Sequence, residues 1–84
     1  MPLVNLGMTK TIEECGELIQ VLAKKISYIQ DGHKYADENI DSKIEEEIGD
    51  VMAGIRYIIM SLDLDPETID ARMNKKYKKY ENWG

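Results

Sequence analysis

The chain has one cysteine, one histidine and two prolines in 84 residues, and each scarcity removes a class of protein. A lone Cys15 has no partner for a disulfide within the chain, which fits a reducing compartment. The lone His33, beside Gly32, reads as an exposed turn residue and cannot supply the imidazoles of a helix-borne Glu-x-x-His di-iron centre. Neither Pro nor Gly clusters into a linker and no segment repeats, so residues 1–84 read as one domain. The most apolar stretch, Ile48 to Leu62, is interrupted by Asp50 and Arg56, which argues against a membrane span. Met1 to Met8 lacks the charged start and long apolar run of a secretory signal. These absences point to a cytoplasmic chain with no membrane partner.

Charge is unevenly placed. Residues 1–71 carry 15 acidic and 6 basic side chains, a balance of −9, whereas residues 72–84 carry 1 acidic and 5 basic, a balance of +4. An acidic body disfavours nucleic acid as a partner. A basic tail has two readings: Lys75, Lys76, Lys78 and Lys79 complement the C-terminal end of a helix dipole, or they hold a small polyanion.

Three helices account for the apolar spacing. The first is predicted from about Met8 to Tyr28 or Ile29, with Met8, Ile12, Cys15, Ile19, Leu22, Ile26 and Ile29 at alternating steps of four and three. Asp31-Gly32-His33 ends it, and a polar loop runs to Asn39. The second starts near Asp41 or Ser42, with Ser42 and Glu45 spaced as a capping box, and runs to about Leu62 along Ile44, Ile48, Val51, Ile55, Ile58 and Leu62. Asp65-Pro66 opens the third, as N-cap and first helical residue, which carries Ile69, Met73, Tyr77 and Tyr80. No stretch alternates with the period of a strand. The expected fold is an all-α antiparallel bundle of three main helices. At this length its core is marginal and is expected to be completed by oligomerisation.

Two acidic signatures carry the chemistry: Glu13-Glu14-Cys15-Gly16-Glu17 and Glu47-Ile48-Gly49-Asp50. Residues three apart on a helix are neighbours, with Cβ atoms about 5–6 Å apart. At about 100° per residue, Glu14 falls between Leu18 and Val21 inside the apolar arc, while Glu13 lies on the polar side with Gln20 and Lys24. Glu17 sits at the edge of that arc, Glu47 beside Ile58, and Asp50 on a strip with the small residues Gly54 and Ser61. Charge in such a setting is costly unless it is paired or coordinates a metal. Four converging oxygen donors suit Mg²⁺, with Mn²⁺ or Ca²⁺ as hard alternatives. Structural readings stand beside this one: Thr11 and Glu14 spaced as a capping box, Glu17 paired with Lys24 or Lys25, Asp50 paired with Arg56 of a partner. Cys15 reads as a small buried hydrophobe, and Trp83 as a packing residue against a partner.

Lys10-Thr11-Ile12-Glu13-Glu14-Cys15-Gly16-Glu17, then Glu47-Ile48-Gly49-Asp50, resembles the Glu-Glu-x-x-Glu and Glu-x-x-Asp pair of the MazG-like all-α nucleoside triphosphate pyrophosphohydrolases. Asn74-Lys75-Lys76-Tyr77 is similar to the Asn-x-Lys-aromatic run of that family's last helix. The resemblance spans about residues 8 to 80. It implies Mg²⁺ (or Mn²⁺) held by Glu14, Glu17, Glu47 and Asp50, with Glu14 or Glu13 as the catalytic base. It also implies substrate contacts from Asn74, Lys76, Tyr77 and Lys10. Cleavage between the α and β phosphates of a ribo- or deoxyribonucleoside triphosphate follows, in a homodimer or homotetramer. Phosphoribosyl-ATP pyrophosphohydrolases have similar carboxylates. A non-catalytic dimerisation or nucleotide-sensing module is the rival class, since Met52, Tyr57, Ile59 and Met60 extend apolar surface beyond one seam.

Overall fold

A computed structural model describes residues 2–34 and 36–84, with residues 2–4 described at the level of the backbone. Three helices follow in order: α1 (Pro2–Gln30), α2 (Ile40–Ser61) and α3 (Pro66–Glu81). The all-α expectation holds, and the described residues contain no strand. α1 and α2 pack as an antiparallel hairpin, whereas α3 makes few contacts with either.

The ends of the helices are written locally. α1 starts six residues before the apolar pattern does, with Pro2 at its first position, where the missing N–H costs nothing. It ends at Gly32 and His33, both left-handed at φ 71° and 64°. The His33 N–H donates to the Tyr28 carbonyl at 2.7 Å, closing the orphan carbonyls of the last turn. α2 ends in the same way, with Asp63 at φ 51° and the Leu64 N–H on the Ile59 carbonyl at 3.0 Å. Its start differs from the expected Ser42–Glu45 box. The helix begins at Ile40, so Ser42 already lies inside the first turn, and the N-cap Asn39 makes no side-chain cap. Asp37 serves instead: its carboxylate accepts from the Asn39 N–H at 2.8 Å and from Lys43 Nζ at 2.7 Å. α3 follows its sequence signal closely, since Asp65 accepts from the Glu67 N–H at 3.1 Å and from the Thr68 hydroxyl at 2.6 Å.

On α1 the seam lies one residue away from the expected one. On α2, Ile44, Val51 and Ile58 face inward as expected, with Glu47 and Gly54 in place of Ile48 and Ile55. On α1 the inward positions are Gly7, Thr11, Glu14, Leu18, Val21, Lys25 and Tyr28; on α2 they are Ile40, Ile44, Glu47, Val51, Gly54 and Ile58. The α1 stripe keeps the predicted four–three spacing but is shifted by one position. Ile12, Ile19 and Ile26, expected inside, are 73%, 67% and 55% exposed. The physical reason is close approach. Thr11 is buried with its hydroxyl bonded to the Gly7 carbonyl at 2.8 Å. A Cβ added at Gly54 would run into Thr11 and one at Gly7 into the Tyr57 ring. Glycine at both positions lets the helices meet along a partly polar stripe.

The result is a thin slab. Its principal extents are 47 × 33 × 14 Å, and the smallest is little more than one helix diameter of about 10–12 Å. The radius of gyration is 15.8 Å, against about 12 Å for a compact chain of this length. Accessible surface is 6993 Å², against roughly 5,100 Å² for a folded monomer of this mass. Among the described residues the buried hydrophobic ones are Ile40 and Val51, and neither is wholly enclosed.

The slab has two unlike sides. In an antiparallel pair, stepping one residue forward from the seam turns both helices about 100° to the same side. That side carries Ile12, Ile19, Leu22, Ile26 and Ile29 of α1 with Ile48, Met52, Ile55 and Leu62 of α2, all exposed. Stepping one residue back gives Leu6, Lys10, Glu13, Glu17, Gln20 and Lys24 on α1, and Lys43, Glu46, Asp50, Ala53 and Tyr57 on α2. One side is apolar and the other largely charged.

Candidate metal centre

Midway along the hairpin, Glu14 of α1 faces Glu47 and Asp50 of α2. Each offers a carboxylate oxygen, and the three oxygens lie within 4.8 Å of one another. One cation at about 2.0–2.6 Å from each oxygen spans such a set. Glu14 and Glu47 are half-buried and Asp50 lies open to the charged side. Oε2 of Glu14 and Oε2 of Glu47 are buried without a hydrogen-bond partner, an arrangement that costs free energy unless something binds there. The donor set is all oxygen and anionic, which fits a hard divalent ion such as Mg²⁺ or Mn²⁺.

Electrostatics agree with the geometry. The Glu14 carboxyl is pushed above its ordinary value, first by removal from water, then by the neighbouring Glu17, with Asp50 adding to the effect; Lys10 opposes it. Lys10 Nζ lies 3.4 Å from both Glu13 Oε2 and Glu14 Oε1, and the two acids raise its own value, Glu13 the more. One ammonium thus serves two carboxylates at the rim.

The predicted site residues divide into groups. Glu14, Glu47 and Asp50 are brought together. Glu17 is outside that set of three but stands near Glu14 and adds to the upward displacement of its carboxyl. Glu13 points to the charged side, paired with Lys10. Two structural readings of the same residues are not seen: Thr11 lies mid-helix and caps nothing with Glu14, and Lys25 pairs with Asp41 at 3.0 Å rather than with Glu17. Asn74, Lys76 and Tyr77 ride on α3. Lys76 lines a separate cleft of about 300 Å³ with Arg72, Lys75 and Lys79. Within a single chain α3 contributes nothing, among the described residues, to the cavity beside the carboxylates. Trp83 packs on Tyr80 of its own helix, ring centroids 4.7 Å apart.

A cavity of about 580 Å³ adjoins the acids and was not anticipated from the sequence. Glu14, Asp50 and Lys10 form one end, Thr11, Gly7 and Gly54 the floor, and Leu6, Ala53 and Tyr57 the far wall. The sequence signal for it was the small pair Ala53-Gly54 one turn beyond Asp50.

The family model for the MazG nucleotide pyrophosphohydrolase domain matches residues 5–83. The chain belongs to the MazG family. The match takes in both acidic signatures and the basic end of α3, so the fold and the general class of nucleotide pyrophosphohydrolase apply to this MazG domain. No curated protein and no solved structure gives a significant match. Among the described residues, no helix is long and apolar enough to cross a membrane.

Proposed function

We propose that this MazG domain hydrolyses ribo- or deoxyribonucleoside triphosphates between the α and β phosphates, releasing a monophosphate and pyrophosphate with Mg²⁺, or Mn²⁺ in its place. The observation that carries the reading is the convergence of Glu14, Glu47 and Asp50, two of them with unpartnered buried oxygens, beside an open cavity. These three hold the ion, and Glu17 supports it from the flank. A divalent cation, when bound, polarises phosphoryl oxygens and offsets charge developing on the leaving pyrophosphate. A carboxylate oxygen of Glu14 not engaged with the ion accepts the proton of the attacking water as a positioned general base. Glu13, beside it and restrained by Lys10, is the second candidate for that role. Lys10 faces the phosphates at the rim.

Asn74, Lys76 and Tyr77 contact the substrate in the proposal. Because the cleft lined by Lys76 is separate from the acids in one chain, this contact requires an assembly that brings an α3 to the carboxylates. The slab supplies the motive for one. It has an apolar side, and its roughly 1,900 Å² of surface in excess of a compact monomer exceeds the roughly 800 Å² that each partner buries in a standard interface. The working unit in this reading is a homodimer or homotetramer, and a cytoplasmic setting fits its lone Cys15.

The test is product analysis on a panel of ribo- and deoxyribonucleoside triphosphates, with and without Mg²⁺, for the native chain and for Glu14→Gln and Asp50→Asn. Monophosphate and pyrophosphate are expected, lost in both variants. Orthophosphate and diphosphate as products, or undiminished pyrophosphate release in both variants, would overturn the reading.

A further inference from the structure

We propose that Lys10 is a displaceable counter-ion: its ammonium and a divalent ion compete for Glu14, and the ammonium so released becomes a contact for phosphate. The proposal rests on the metal-centre reading and not on which bond of the substrate is cut. Lys10 stands one turn before Glu14 on α1, with Nζ 3.4 Å from Glu14 Oε1 and 3.4 Å from Glu13 Oε2. Among the described residues it is the one cation paired with an acid of the centre; Glu17, Glu47 and Asp50 have no such pair. The partners differ in their contact with water. The side chains of Lys10 and Glu13 are 63% and 55% exposed, whereas that of Glu14 is 12% exposed. An ion pair with one partner in water is weak, so Lys10 is free to leave. Glu14 stays, half-buried and facing Glu47 and Asp50. An ion among these three carboxylates meets all of them, where the ammonium meets one.

Whichever oxygen of Glu14 the ion takes, two positive charges then share one carboxylate, and they repel. The flexible four-carbon stem of the lysine lets its ammonium swing clear. It remains at the end of the cavity that Glu14 and Asp50 also line, within reach of an anion drawn to the ion. Metal and phosphate are thus coupled through one side chain, and the coupling is reciprocal. An anion that draws Lys10 off Glu14 tightens the metal by the same factor as the metal tightens the anion. A lysine that served phosphate alone would show no such dependence.

The experiment follows the lysine itself, by NMR correlation of Cε with Nζ during titration of the native chain with Mg²⁺. The Lys10 signal is expected to move toward that of Lys24, an exposed lysine outside these pairs. Calorimetry then measures Mn²⁺ and, separately, inorganic phosphate with and without Mg²⁺, for the native chain, Lys10→Met and Lys24→Met, with circular dichroism of each. Lys10→Met is expected to bind Mn²⁺ about two- to five-fold more tightly, as loss of an exposed ion pair implies, with Lys24→Met close to native. It is also expected to lose phosphate affinity only when Mg²⁺ is present. Equal gains in Mn²⁺ affinity from the two variants would make the effect one of net charge and overturn the proposal. So would a loss of phosphate affinity of the same size with and without Mg²⁺. A native chain that binds neither metal removes the centre and the proposal together, whereas Mg²⁺ binding that leaves the Lys10 signal in place removes the proposal alone.

Discussion

The α1–α2 hairpin and α3 are stabilised in opposite ways. α3 is secured by short-range devices: Asp65 on its first turn, Pro66 at its first position, lysines in its last turn and Tyr80 against Trp83. The hairpin has local devices at its helix ends too, but it also depends on two long helices meeting at Gly7–Tyr57 and Thr11–Gly54. It spends much of its seam on groups that do not stabilise it, since Thr11, Glu14, Lys25 and Glu47 stand where a bundle of this size would place Leu or Ile. The comparison teaches that the seam is organised around the acids, and that the missing hydrophobic burial lies on the outer apolar side.

The largest expected effect separates the two regions by activity. Replacing Glu47 by Gln removes a ligand and should cut pyrophosphate release by at least about 100-fold, since even supporting residues around a metal contribute about 10–100-fold. Lys79→Ala on α3 should raise KM modestly and leave the thermal midpoint unchanged. Steady-state kinetics and melting curves on the two variants check this, and equal losses in both would erase the contrast.

Next comes packing. Gly54→Ala drives a methyl into Thr11, whose Cβ and Cγ2 would lie 3.1 and 3.2 Å from it, and over-packing of this kind costs about 1–3 kcal/mol. Urea unfolding measures it. The protection of α3 amides against hydrogen exchange should change less than that of α2 amides, because α3 shares little contact with the seam.

Acidity provides a third test, with opposite signs for the two regions. Glu14 keeps its proton to higher pH when folded than its ordinary 4.5. The hairpin is therefore favoured below that value and loses stability as pH rises through the elevated one. Asp65 behaves in reverse: its carboxyl is held below the ordinary 3.8 by the Thr68 hydroxyl and then the Glu67 N–H. The contribution of Asp65 is present above 3.8 and is lost as pH falls through the lowered value. Asp37 at the start of α2, lowered chiefly by Lys43, moves with Asp65. Hydrogen exchange resolved by region, with and without Mg²⁺, should show the Glu14 effect vanish when the ion is present. Glu14→Gln should stabilise the metal-free chain while removing the response to Mg²⁺.

The smallest effect concerns the apolar side. Ile19→Glu should leave the helical content of the hairpin intact and shift the sedimentation coefficient toward a monomer, since Ile19 is two-thirds exposed on the apolar side. Unchanged sedimentation would remove the proposed interface.

Much of this was legible in the residues. Asp65-Pro66 announces its helix because capping is local, and Asp31-Gly32-His33 stops one for the same reason. Glu14 was legible as an inward acid because it falls inside an apolar arc. The seam of α1 was not, because two stripes of identical four–three spacing run side by side: Met8–Ile12–Cys15–Ile19 is the more hydrophobic, yet Gly7–Thr11–Glu14–Leu18 is the one that faces α2. Hydropathy favours the first, whereas close approach at glycine, a long-range property, selects the second. The Ser42–Glu45 spacing misled because Ile40, two residues before Ser42, is already helical and among the most buried residues. The separation of α3 from the acids was illegible too, since spacing along a chain says nothing about where a third helix docks.

The Thr11–Gly54 contact lies one helical turn from Glu14 and Asp50, so the gap between the backbones there also sets how widely the opposed carboxylates stand. A side chain that never touches an ion thereby governs the bore of its cage. Widening that gap by one methyl group at position 54 should displace preference from Mg²⁺, which demands bonds of about 2.0–2.1 Å, toward Ca²⁺ at about 2.3–2.6 Å. In the proposed metal centre, the ionic radius that fits would be set by Gly54.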